Sequence, residues 1–257
     1  MEENWKKRQL LSEIVFWNSS IKRGVNLPVS AAFSSSSQLL FEETIDSELR
    51  IDIVAGGTDT SSKIIIWALL EMMKNPNIMA NAQSEVRQVF QEKKNYDEGD
   101  LEKSKYLKLA IKETLRLHPP IPLVPKECKE QTDIDGYTIR CKTNVLVNIW
   151  ALGRDPESWD DPESFIPERF ENSSINFMGN HYEFIPFGAG RRSCPGMLFG
   201  LAAIEVALAQ LLHHFEWQLP YGTNPQDLDM TETPGLTAAK QKDLYLVAVD
   251  HRNDDEF

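Results

Sequence analysis

The distribution of apolar positions divides the chain into unequal parts. From Leu49 to Met73 apolar residues recur at helical spacing, and Asn75-Pro76 ends the run, which predicts a long helix. Its interior carries Ala55-Gly56-Gly57-Thr58-Asp59-Thr60-Ser61. A glycine costs up to about 1 kcal/mol relative to alanine inside a helix, so the pair predicts a kink that a ligand exploits. Further helices are predicted over about Pro76 to Glu92 and Tyr106 to Leu117, joined through the charged Lys93–Gly99 loop and ended by Pro119-Pro120. Alternation at Ile134–Ile139 and Asn144–Ile149 predicts two short strands. Asp155–Ile185, broken by Pro156, Pro162, Pro167 and Gly179, reads as a loop long enough to suggest function. Gly196–Phe215 is a helix whose Leu198, Leu201, Ala202, Val206, Ala209, Leu212 and Phe215 share a face towards a core. Leu244–Val249 is strand-like, and residues 1–46, with the amphipathic Leu10–Trp17 and the Ser34–Ser37 run, read as a leader without a chemical motif. The expected fold is mainly α with a small β component.

Composition narrows the function classes. Over 257 residues, 27 Lys plus Arg against 39 Asp plus Glu give a net charge of −12, and 41% of residues are apolar, as in a folded soluble domain. The acidic balance lacks the basic face that phosphate binding needs, which excludes nucleic acid as a partner. The longest unbroken apolar run, Ile64–Leu70, is far short of the roughly 20 residues of a spanning helix. The N-terminus has no secretory h-region, and Cys128, Cys141 and Cys194 are odd in number and widely spaced, so neither secretion nor a disulfide framework is expected.

Candidate chemistry concentrates at Phe187-Gly188-Ala189-Gly190-Arg191-Arg192-Ser193-Cys194-Pro195-Gly196, directly before a helix. A cysteine there feels the positive end of the dipole and the unpaired first-turn amides, which favour thiolate, the metal-binding form. Pro195 suits the first helical position, and the glycines let the backbone pass close beneath a flat, bulky group. The bland alternative is a buried cysteine in a glycine-rich loop. A dinucleotide turn fits poorly, because the third glycine is absent and Pro186 interrupts the preceding strand. No Gly-x-Ser-x-Gly elbow exists, and His213 and His214 point about 100° apart on their helix, so a hydrolase or a His-based metal site is not indicated.

The pattern Phe187-x-x-Gly190-x-Arg192-x-Cys194-x-Gly196 resembles the haem-binding signature of the cytochrome P450 superfamily. Three further motifs stand in that family's order: Gly56–Ser61, Glu113-x-x-Arg116, and Pro167-Glu168-Arg169-Phe170. The resemblance covers about residues 47 to 249. It is to the C-terminal portion of the fold, from helix I to helix L with the haem loop, and is strongest to plant microsomal members. The resulting division is 1–46 as an unmatched leader and 47–257 as the P450 portion.

What the resemblance implies is specific. Cys194 is the iron's axial thiolate; Phe187, Gly190 and Gly196 shape the haem loop. Arg192 pairs with a haem propionate, and Lys126 stands where plant members commonly have a propionate-binding arginine. Thr60 positions dioxygen and a proton-delivering water, with Asp59 as acidic partner. Glu113, Arg116 and Arg169 form a network holding the cysteine loop, and Val54, Ile121, Leu123, Val124 and Leu236 face a lipophilic substrate. The implied activity is a haem-thiolate monooxygenase inserting one atom of O2 into an apolar small molecule, with electrons from NADPH through an NADPH-cytochrome reductase. The alternative is a truncated remnant that at most binds haem. The family resides at the endoplasmic reticulum through an anchor; no such segment is read here, which leaves a cytosolic or peripheral location open.

Overall fold

The computed structural model describes residues 47–90, 98–233 and 235–251, with 47–55 and 98 as backbone only. The leader and most of the Lys93–Gly99 loop lie outside the described residues. The helices are α1 (Ser47–Lys74), α2 (Pro76–Val89), α3 (Glu98–Lys103), α4 (Lys105–Leu117), α5 (Ile149–Leu152) and α6 (Met197–His214). The strands are β1 (Leu123–Glu127), β2 (Thr132–Ile134), β3 (Tyr137–Ile139), β4 (Asn144–Asn148), β5 (Phe215–Gln218), β6 (Glu232–Thr233), β7 (Ala239–Lys240) and β8 (Val247–Asp250). Among these residues the strands form four separate antiparallel pairs: β1–β4, β2–β3, β5–β8 and β6–β7. The α-rich character and small β component match the expected class.

Long helix α1 runs through Gly56-Gly57 as expected of a helix rather than a loop. The Thr60 hydroxyl donates to the Gly56 carbonyl at 2.5 Å, one turn earlier. Such a bond gives the carbonyl a second partner within the same helix and is of a kind that bends a helix without breaking it. Pro76 opens α2, where its missing N–H costs nothing.

Helices α1, α2, α4 and α6 enclose the main core. Ile64, Trp67 and Leu70 of α1 meet Leu107, Ile111 and Leu115 of α4 and Leu208 and Leu212 of α6, all essentially excluded from solvent. By composition α6 is long and apolar enough to cross a bilayer, with a mean hydropathy of 1.4 over 18 residues. Half of it is buried, as befits a core helix hydrophobic around most of its circumference.

Several sequence expectations need correction. Ile134–Ile139 is a tight hairpin: Asp135 and Gly136 take φ of 48° and 82°, the left-handed pair of a two-residue hairpin turn, so β2 and β3 fold back on each other. The first strand of the larger pair, β1, lies in the proline-rich stretch after α4 and pairs Leu123–Glu127 with Asn148–Asn144. Short α3 was not anticipated. Helix α6 starts at Met197 with Gly196 as its N-cap, so Pro195 belongs to the preceding turn rather than to the first helical position.

The expected inward face of α6 also differs. Leu201, Leu212 and the following Phe215 are buried, but Leu198 is 72% exposed, Phe199 is 64% exposed and Ala202 is exposed. The first two turns of α6 therefore present apolar side chains away from the core.

Candidate functional site

The site starts from the turn-rich segment that delivers Cys194. Phe187 and Cys194 face each other across a tight loop: the Cys194 amide donates to the Phe187 carbonyl at 2.9 Å, and Ser193 N–H donates to the Gly190 carbonyl at 3.1 Å. Gly188 and Gly190 both have φ of +72°, a conformation side chains rarely adopt, so glycine is required at both turns. This closure places the Cys194 side chain on the surface at the approach to α6. The bland expectation of a buried thiol does not apply.

The surroundings of Cys194 are open and apolar. Exposed Leu198 and Phe199 follow it on α6, and Phe187 is half-buried against the core. Across from them, α1 passes the start of α6 where Ser61 Oγ lies 3.8 Å from the Cβ position of Gly200. One residue away is Thr60, beside Gly56 and Gly57, where a Cβ would meet nothing within 4 Å; the same is true at Gly190 and Gly196. The exposed Arg191 and Arg192 occupy the 3₁₀ turn Gly190–Arg192, where Arg192 has no bonded partner among the described residues.

Asp59 is not free. Its carboxylate is held by Lys63 Nζ at 2.5 Å and by the Thr237 hydroxyl at 3.1 Å, and Lys63 also bonds Thr237. This clasp ties helix α1 to the turn between β6 and β7 that carries Leu236, 76% exposed. Neither Lys63 nor Thr237 was singled out from sequence; the i,i+4 spacing of Asp59 and Lys63 is the signal that was available.

The expected substrate-facing residues fall into two groups. Ile121 and Leu236 lie on neighbouring segments, because the Ala238 amide donates to the Pro120 carbonyl at 2.9 Å. Leu123 and Val124 are consecutive in β1, whose exposure alternates, so they point to opposite faces and cannot line one cavity. Val124 shares its face with Lys126, and Leu123 points the other way. The Val54 side chain lies outside the described residues.

Glu113 sits at the centre of the Glu113, Arg116 and Arg169 group. Its Oε1 accepts from Arg116 Nη2 at 2.7 Å, Arg169 Nε at 2.9 Å and the Ile166 amide at 2.8 Å, while Oε2 accepts from Arg116 Nε at 2.8 Å. Both Glu113 and Arg116 are fully buried, unlike an ordinary surface ion pair. The remaining guanidinium donors reach the carbonyls of Gly153, Asp160, Asp161, Pro162 and Ser164. The network thus grips residues 153–166 and does not bond the cysteine loop itself.

Aromatic packing makes that connection. Phe170 lies 5.2 Å from Phe184, Trp159 6.2 Å from Phe184, and Phe177 bridges to Phe184 at 6.4 Å and to Phe187 at 5.7 Å. The density of aromatics in a segment read as loop was the sequence signal for this bridge.

Among the described residues no three His, Cys, Asp or Glu side chains converge as a metal site. A single exposed sulfur, open apolar space and nearby cations fit a flat, apolar ring that brings its own in-plane iron ligands and carries anionic edges. Residues 29–247 match the family described as Cytochrome P450, and the chain belongs to that family, which implies haem with a thiolate cysteine. The match begins within the leader. It is 60% identical over 203 residues to Cytochrome P450 71D7 of Solanum chacoense, covering 79% of this chain and 41% of that protein. It is also 60% identical over 203 residues to 5-epiaristolochene 1,3-dihydroxylase of Nicotiana tabacum (79% and 40%), and 59% identical over 202 residues to premnaspirodiene oxygenase of Hyoscyamus muticus (78% and 40%). The chain spans about 40% of the length of these curated relatives.

Proposed function

We propose that this chain carries the haem-thiolate portion of a monooxygenase that inserts one atom of O2 into a lipophilic, terpenoid-like molecule. The observation that supports it most is the exposed Cys194 thiol on a glycine-closed loop beside the uncovered Leu198 and Phe199. When bound, haem supplies the oxidation chemistry. The protein supplies the thiolate ligand, whose electron donation favours O–O cleavage.

In this reading Arg192, aided by Lys126, pairs with the propionates, and Phe187, Gly190 and Gly196 leave room for the ring. Thr60 spends its only hydroxyl proton on the Gly56 carbonyl, so its oxygen offers lone pairs to the open side and accepts a bond from a water or protonated oxygen. Asp59 relays protons once it leaves Lys63 and Thr237. Ile121, Val124 and Leu236 form the apolar wall, with Val54 at the start of α1, and exclude water from the substrate. Electrons come from NADPH through a reductase, at the endoplasmic reticulum surface. A second reading, a portion that binds haem without turnover, is favoured by the apolar surface left open at Leu198 and Phe199.

The test is to express the chain with haem and record the reduced, CO-bound spectrum. A thiolate-type Soret shift that disappears in Cys194→Ala supports the site, and no haem uptake by the unmodified chain overturns it. NADPH-dependent oxidation with added reductase then separates the two readings.

A further inference from the structure

His118 caps the C-terminal end of α4 and is buried, yet none of the chemistry above uses it. Its ring bonds carboxylates on both sides: Nε2 lies 2.8 Å from Glu71 Oε1 and Nδ1 lies 3.0 Å from Glu232 Oε1. The ring also stacks on Trp67 at 4.0 Å with planes 2° apart. Glu71 and Trp67 belong to α1, His118 leads directly into Pro119–Val124, and Glu232 opens the β6–β7 turn that carries Leu236. One side chain therefore joins three elements far apart in sequence. Beyond it, the Ala238 amide to Pro120 carbonyl bond repeats the link between the two loops.

We propose that His118 is a positioning residue for the substrate wall: through Glu71 and Glu232 it fixes the 119–124 and 232–238 segments as one unit against α1. The relation to substrate rests on the function proposed above; the joining of the loops does not. Three features fit this role better than simple core filling. A buried ring between two carboxylates is costly unless both bonds are made, so its geometry is narrowly set. The stack on Trp67 fixes the plane of the ring. Glu232 is only partly buried, so the latch closes at the rim, on the side of the 232–238 segment rather than within the core.

Amide hydrogen exchange on the full chain tests it without haem. In His118→Ala, exchange at Ala238 should rise about tenfold or more, as for loss of a charge-assisted bond, while Leu208 and Leu212 in α6 keep their rates. His118→Gln, which keeps one bond, should recover part of the protection. Unchanged exchange at Ala238, or equal acceleration at Ala238 and Leu212, overturns the proposal. Should His118→Ala not fold, Glu232→Gln gives the same reading, since it leaves the buried contact to Glu71 intact. In haem-loaded protein with reductase, His118→Gln should raise KM and alter the product ratio more than kcat, with the CO spectrum unchanged; a fall in kcat alone overturns the positioning role. A chain that takes up no haem defeats the proposed function and leaves the exchange result standing.

Discussion

Glu113 and Arg116 meet one helical turn apart with neither side chain exposed, joined by two bonds of 2.7 and 2.8 Å. On an isolated helix such a pair contributes a few tenths of a kcal/mol. Here both charges are out of water, so each depends on the other, and Arg169 completes the carboxylate's partners from 56 residues away. Glu113→Gln should cost about 3–5 kcal/mol, read as a lowered urea midpoint at unchanged slope. Arg169→Lys should cost less, because Arg169 is partly exposed and lysine keeps the charge. A Glu113→Gln cost below that of Arg169→Lys would contradict this account.

Two glycines should respond in opposite directions. A Cβ on Gly153 falls against the Arg116 carbonyl oxygen, whereas one on Gly56 meets nothing within 4 Å inside a helix. Gly153→Ala should lose about 1–3 kcal/mol through overpacking. Gly56→Ala should gain about 0.4–1 kcal/mol in the haem-free chain and weaken haem uptake, because the methyl enters the space beside Thr60. Thermal denaturation of both variants, with and without haem, decides the point.

Glu205 on α6 carries the pH prediction. Burial raises its pKa above the ordinary value of 4.5, and Lys108, 3.8 Å away, offsets only part of that. The folded state therefore holds the proton more tightly than the unfolded one. The contribution to stability is present below 4.5 and is lost as pH rises through the higher folded value. Glu205→Gln should accordingly be more stable than the parent at neutral pH, with the difference shrinking as the pH falls through the raised folded value to 4.5. A constant difference across that range would show that burial of the carboxylate is not the cause.

Leu198 and Phe199 contribute apolar surface but little packing. Leu198→Ser with Phe199→Ser should change unfolding free energy by less than about 0.5 kcal/mol per site and reduce aggregation in light scattering. The same pair should retain haem poorly. Destabilisation of several kcal/mol would mean that these residues belong to the core after all.

Local signals in the sequence located most helices and the cysteine loop, and periodicity failed where tertiary demands took over. The α6 positions at three- and four-residue steps read as one inward face, yet Leu198 turns outward, because a helix apolar on most sides does not say which side another element will cover. Ile134–Ile139 alternated like one strand, and the Asp135-Gly136 turn signal inside it outweighed the alternation. Glu113-x-x-Arg116 was visible as a spacing, but its burial depends on carbonyls from residues 153–164 that no local pattern reveals. The two carboxylates of His118 come from positions 47 residues before it and 114 after, beyond any window of periodicity.

The β5–β8 pairing has a consequence for how the chain is made. Phe215–Gln218 finds its partner only when Val247–Asp250 exists, and this is the last described strand to leave the ribosome. Until then Phe215 and Trp217 stand at an open edge just past the core helix, a ready template for another chain. The last described strand thus closes the open edge of β5, and a deletion that reaches Val247 should expose that edge and promote aggregation.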